Sequence, residues 1–190
     1  MSIQVIINYY KEFNLHLRMD DEFFMKLALE EAERASKRGD LPVGAVLTLD
    51  NVIIGFGGNL ATSHKDWISH AENNLLIKYS DKLKKYKGDN SVLYTTWEPC
   101  MMCASTAAMS RVKKIIYSCP DPLGGATLFD VENFPQWYKK HWPKIEKGSY
   151  EKVSYDLLTI HMEENPEIWE RFLPRFKEKM KGKNREQIIL

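Results

Sequence analysis

Between residues 41 and 118, apolar runs of strand length alternate with segments of helical periodicity, and that alternation restricts the chain to an α/β sheet. Residues 41–49 read as an apolar strand, with Pro42 among its first residues or on an edge. Asp50-Asn51 turns the chain into a second strand, residues 52–56, so the two form a hairpin. A polar loop over residues 59–69 leads to a helix from His70 to about Lys84, with Ser69 at its N-cap and a break at Gly88-Asp89-Asn90. Residues 92–96 follow as a buried strand. Pro99 suits the first position of the next helix, which runs to about Arg111 and is full of small residues (Ala104, Ser105, Ala107, Ala108). Residues 115–118 form another strand. The order β-β-α-β-α-β predicts parallel strand pairs with helices on the sheet faces.

The flanks are less regular. Asp20 can cap a helix carrying Phe23, Phe24, Leu27, Ala28, Glu31 and Ala35 at i, i+3, i+4 spacing, and Gly39 stops it. After a second glycine-containing loop, residues 120–127, come the aromatics Phe134, Trp137, Tyr138 and Trp142. A strand is expected over residues 153–160, then a last helix from Asn165-Pro166, kinked or ended by Pro174. A length of 190 residues fits one domain. The expected divisions are a short strand or arm at 1–18, a catalytic domain at 19–165, and a C-terminal helix with a basic tail at 166–190.

Composition narrows the function classes. Lys and Arg exceed Asp and Glu by one, 27 against 26, so nucleic-acid binding would need a local basic patch. Arg175, Lys177, Lys179, Lys181, Lys183 and Arg185 form either such a patch or a solvated helix face. Three cysteines argue against a secreted disulfide framework. No apolar run approaches the ~18 residues of a membrane span, and the Ile3-Gln4-Val5-Ile6-Ile7 run lacks the flanks of a signal peptide. A cytoplasmic protein without membrane association is expected.

Two short motifs carry chemistry. In Pro99-Cys100-Met101-Met102-Cys103 the thiols lie on one face of a helix start, where the helix end favours thiolate. Alone this reads as half of a tetrahedral zinc site, a redox dithiol, or two inert core cysteines. His70-Ala71-Glu72 also falls at a helix start but is weak alone. The chain holds a second copy of that form, His161-Met162-Glu163, read as a solvated strand end. A chance Pro-Cys-x-x-Cys from three cysteines is about a one-in-a-thousand event, and a correctly ordered His-x-Glu upstream makes it rarer. Together the two are similar to the signature of zinc nucleobase deaminases. One His and two Cys leave zinc an open fourth position for water, and Glu72, not a ligand, would move the protons. Residues i and i+2 do not share a helix face, so His70 and Glu72 must both reach the site from an irregular first turn.

The flanking residues extend the likeness: Leu41-Pro42-Val43-Gly44-Ala45-Val46, then Asn59, Asp66, and Tyr94-Thr95-Thr96-Trp97-Glu98-Pro99-Cys100-Met101-Met102-Cys103-Ala104, then Arg111-Val112 and Asp121. Over about residues 19–121 the chain resembles the cytidine deaminase-like family, in the branch holding tRNA-specific adenosine, guanine and fungal cytosine deaminases. The Glu-Pro-Cys-x-Met-Cys form points to this branch. The resemblance implies a three-layer α/β/α fold with a mixed five-stranded sheet. It implies zinc on His70, Cys100 and Cys103, with Glu72 as the catalytic proton shuttle. It further implies that Asn59 hydrogen-bonds the substrate ring, that the Ala71 backbone and Val43 line the pocket, and that Glu98 acts through loop position. Asp121, at a strand end, contacts substrate or caps its loop. A homodimer whose partner closes the pocket is also implied.

The implied function is zinc-dependent hydrolytic deamination of an exocyclic amine on a purine or pyrimidine base, nucleoside or nucleotide, with release of ammonia. The near-neutral charge and unfamiliar tail favour such a small-molecule substrate. The alternatives are a tRNA-specific adenosine-to-inosine deaminase and a non-catalytic zinc-binding interaction module. The intact Glu72 argues against the last. The chain departs from the family pattern at Trp67-Ile68, where Pro-Thr is common, at Asn73 and Asn74, where apolar residues are usual, and after Asp121. Cys119 reads as a small buried hydrophobe, and Trp137, Trp142, Trp169 and Phe172 as packing for the terminal elements.

Overall fold

The computed structural model describes residues 19–182, so the strand or arm expected at 1–18 and the tail residues Lys183 and Arg185 lie outside the described residues. Helix α1, Asp21–Lys37, begins where Asp20 accepts a hydrogen bond from the Phe23 N–H at 3.0 Å. Its first turn is acidic and its last turn basic, matching the helix dipole. The buried stripe of Phe24, Met25, Leu27, Ala28, Ala32 and Ala35 turns one side to the sheet.

Strands β1 (Gly44–Leu49) and β2 (Val52–Gly58) form the expected hairpin. A short helix α2 (Ala61–His64) then leads to α3 (Ala71–Lys78) and α4 (Ser80–Lys85). The single helix expected over 70–84 is therefore two, divided at Tyr79, whose ψ of 17° leaves the helical range. Strand β3 (Ser91–Trp97), helix α5 (Met101–Met109) and strand β4 (Lys114–Cys119) follow.

The sheet has five strands in the order β2-β1-β3-β4-β5 and is mixed. β1 runs antiparallel to both β2 and β3, whereas β3, β4 and β5 are parallel. Strands separated by helices run parallel, as expected, although β2 and β3 are not neighbours in the sheet. The crossover from β2 to β3 carries the chain past β1, which lies between them. Register fixes the two faces. The row Val46–Tyr94–Ile116 packs under α1, and the row Leu47–Leu93–Ile115 packs with Leu75, Leu76 and Ala107 of α3 and α5. Helices on both faces complete the three layers.

After β4 the chain makes two short 3₁₀ turns and helix α6 (Gln136–His141), then strand β5 (Lys144–Lys147). That four-residue edge strand, Lys-Ile-Glu-Lys, is too short and charged to announce itself. The strand expected over 153–160 is instead helix α7, Glu151–Glu164. Its buried Ser154, Leu158, His161 and Met162 recur at helical spacing, and this packing overrides the β-leaning Val153, Tyr155, Thr159 and Ile160. Helices α8 (Pro166–Trp169) and α9 (Leu173–Lys181) finish the described chain. Pro174 sits in the first turn of α9 and so opens a helix. Phe176 is buried in the cluster that holds Trp97, while Arg175, Lys179 and Lys181 face solvent. Among the described residues no helix is long and apolar enough to cross a membrane.

Candidate active site

The site forms where the loops entering α3 and α5 meet. His70 is the N-cap of α3, with extended backbone angles of −69° and 152°. It stands outside the helix that Ala71 and Glu72 begin. This resolves the i, i+2 problem, since only Glu72 is bound by helical geometry. Cys100 is likewise the N-cap of α5 (−68°, 171°), and Cys103 lies in the first turn. Ser69, expected at the N-cap, falls one residue early, and Pro99, expected at the first helical position, falls two residues early. Ser69 instead donates to Asp66 Oδ2 at 2.9 Å.

His70, Cys100 and Cys103 bring their ligand atoms within 4.8 Å of one another, the only such group among the described residues. His70 Nδ1 lies 3.7 Å from Cys100 Sγ and 3.5 Å from Cys103 Sγ. Zinc–sulfur and zinc–nitrogen bonds of ordinary length at a tetrahedral angle give an edge of about 3.6 Å. The three side chains therefore fit a zinc ion, with His70 binding through Nδ1. The hydrogen bond from Cys103, with help from His70, draws the Cys100 thiol down to about 4. The same Cys100 contact, then burial, pushes the Cys103 thiol up. Metal binding requires both thiolates, and the two helix N-termini favour them.

Glu72 is 3% exposed. Thr95 Oγ1 lies 3.0 Å from its Oε1, and Cys103 Sγ lies 3.6 Å from its Oε2. Burial raises the Glu72 carboxyl above the usual carboxylate range, against the pull of His70. Thr95 has no signal in the sequence beyond its place in the motif, because threonines are common in strands. Asn73 and Asn74, the departures from the family pattern, tie the helix back to its entry loop. Asn73 Nδ2 donates to the Ile68 carbonyl and Asn74 Nδ2 to the Ser69 carbonyl, each at 3.3 Å.

Val43, Asn59 and Ala71 are all buried. The Asn59 N–H donates to the Val43 carbonyl at 2.8 Å, and the Leu60 N–H donates to the Ser69 carbonyl at 3.0 Å. These bonds join the end of β2 to the approach to His70. Asn59 Oδ1 accepts from the Ala61 N–H at 2.9 Å. A backbone N–H can only donate, so this contact fixes which end of the amide is oxygen. Glu98 staples the second loop: its Oε2 accepts from the Asp121 N–H at 2.9 Å and its Oε1 from the Thr127 N–H at 3.1 Å. Asp121 Oδ1 accepts from the N–H groups of Leu123 and Gly124, both at 3.0 Å, and so caps that loop. Cys100 and Gly125 form an isolated bridge, which brings the loop against the metal ligands.

The remaining candidates fall elsewhere. His161 is buried on α7 and Glu163 pairs with Lys177, so the second His-x-Glu is a helical segment and not a strand end. Cys119 is fully buried in the core. Trp169 packs on Phe172, which in turn meets Trp97, whereas Trp137 is 39% exposed beside Tyr138 and His141.

This architecture and ligand set define a zinc-dependent deaminase. The family described as the cytidine and deoxycytidylate deaminase zinc-binding region matches residues 18–119, more than half of the chain, and the chain belongs to it. It is an enzyme of the class that hydrolyses an exocyclic C–N bond of a nucleobase. Among its relatives, the tRNA-specific adenosine deaminase of Agrobacterium fabrum (strain C58) is 36% identical over 135 residues, covering 71% of this chain and 89% of the relative. The tRNA-specific adenosine deaminase of Bacillus subtilis (strain 168) is 37% identical over 149 residues, covering 76% and 89%. A solved structure from a study of A-to-I editing by tRNA:A34 deaminases superposes with a TM-score of 0.64 at 36% identity, covering 72% of this chain and 99% of that one.

Proposed function

We propose that the chain converts adenosine in tRNA to inosine, with His70, Cys100 and Cys103 holding zinc and Glu72 moving protons. The observation that carries the reading is the convergence of those four side chains at two helix starts. It is supported by the relatives named tRNA-specific adenosine deaminases, which match this chain along nearly their full length. When bound, zinc supplies a Lewis acid that brings the pKa of a water toward neutrality.

Glu72, with Oε1 held by Thr95, takes a proton from the attacking water and delivers protons to the ring nitrogen and the departing amine, so that ammonia leaves. Its burial, which favours the protonated form, suits the donor half of that cycle. Asn59 Nδ2, turned opposite the oxygen that Ala61 holds, donates to a ring acceptor. Val43 and Ala71 wall the pocket, and Asp121 acts through the loop it caps. A second copy of the chain covers exposed apolar side chains of α3 and the loop before it, Trp67, Ile68 and Ile77. A tRNA substrate also implies a cytoplasmic setting.

The test is ammonia release from a panel of adenine, guanine, cytosine, their nucleosides and nucleotides, and unmodified tRNA. Release from tRNA, with inosine appearing in it, is expected. Turnover of one small molecule with none on tRNA would contradict the reading.

A further inference from the structure

The site described above occupies one end of α5. At the other end, about 14 Å away for a nine-residue helix, lies an open cleft of about 730 Å³. It is lined by Lys84, Lys87, Arg111, Lys113 and His141, with Asp89 as the only carboxylate. Four permanent cations face one acid, in a chain whose net charge is only +1. Asp89 pairs with Lys113 at 3.4 Å. Lys84 and Lys87 have no ion-pair partner among the described residues.

The cleft is built on two interlocked turns. Gly88 follows α4 with φ +66°, and a Cβ there would come within 2.0 Å of the Arg111 carbonyl oxygen. Arg111 follows α5 in the left-handed region itself, with φ 64°. Ser91 Oγ donates to the Gly88 carbonyl at 2.5 Å and accepts from the Lys113 N–H at 3.2 Å. The lysines of one turn are thus held opposite the cations of the other. The Arg111 guanidinium lies over the Trp137 ring at 5.1 Å and against His141, whose ring is 4.7 Å from the same indole. Loss of solvent and the charges of Arg111, Lys140 and Lys113 push the His141 imidazole down.

We propose that this cleft is a second docking point for the phosphate backbone of an RNA substrate, remote from the reacting base. The inference rests on the tRNA reading above. Exposed lysines spread over two turns suit a backbone they track by charge better than one small anion held by converging donors. Trp137, half open beside Arg111, offers a face on which an unpaired base stacks.

The test compares the full chain with the variant Lys84→Gln/Lys87→Gln/Lys113→Gln and with Lys179→Gln/Lys181→Gln on α9, the rival basic surface. All five lysines are exposed, and equal unfolding midpoints confirm intact folds. Binding of unmodified tRNA is measured from 50 to 200 mM salt, together with deamination kinetics. In the cleft variant Kd should rise about tenfold or more, and the slope of log K against log[salt] should shrink by about 2, as for two or three lost phosphate contacts. KM should rise while kcat stays within about twofold. The α9 variant should match the parent. An unchanged Kd and salt slope in the cleft variant, a loss confined to the α9 variant, or a parent that binds no tRNA would each overturn the cleft assignment. A parent that binds tRNA without deaminating it would overturn the proposed function alone, and the binding difference would still decide the cleft.

Discussion

Position at a helix N-cap, not merely residue type, makes His70 and Cys100 usable as ligands. Each has extended backbone angles that free its side chain from the helix behind it. These residues could be read from the sequence because zinc chemistry demands particular residue types in a particular order. Thr95 could not, since only the fold brings it to Glu72. His161 shows the same distinction in reverse. It stands in an identical His-x-Glu form but is buried in α7, and that burial lowers its pKa below the ordinary 6.5 despite Glu164 and Asp40 nearby. A depressed pKa keeps the folded state neutral while the unfolded chain takes up a proton. The stability it contributes is therefore present above about pH 6.5 and lost as the pH falls below it. Urea midpoints should decline between pH 7 and 5, and His161→Gln should show a shallower decline. An equally steep decline in that variant would assign the effect to other groups.

At the scale of elements, the two loops over the metal ligands act as one unit. Glu98 holds the second loop by its carboxylate, and a Cβ on Gly125 would come within 2.4 Å of the Glu98 Cδ and 2.6 Å of the Asp121 carbonyl oxygen. Gly125→Ala should therefore cost about 1–3 kcal/mol, as overpacking does, and lower turnover by displacing the loop from Cys100. Equilibrium unfolding and steady-state kinetics check this, and an unchanged midpoint would show that the loop yields freely. The hairpin, α1 and the β3–α5–β4 unit were readable because period and capping agree in them. Residues 153–160 were not. Their β-branched and aromatic side chains suggest a strand, and only contact with the sheet and α9 selects a helix. The strand Lys144–Lys147 escaped because a four-residue edge offers little alternation to detect.

Across the whole molecule, the segment after β5 seals the core beside the site. Leu158, Met162 and Phe176 join Ala71, Leu75 and Cys119 in one apolar cluster, and the Trp97 ring meets Phe172 and Phe176 at 6.1 and 6.0 Å. Phe176→Ala should cost about 3–5 kcal/mol of unfolding free energy. A loss under 1 kcal/mol would mean that α9 contributes little to the fold. The sequence marks Phe172 as packing for the terminal elements but not what it packs on, because Trp97 lies 75 positions before Phe172 and 79 before Phe176.

The central claim is that Glu72 moves protons beside a metal it does not bind. The most direct measurement is zinc content and turnover on tRNA, taken on the same preparations of the parent and of Glu72→Ala. The variant should keep one zinc per chain and lose at least ~10²-fold in kcat. Zinc retained with activity near that of the parent would contradict the mechanism, and loss of zinc in the variant would make Glu72 part of the metal site.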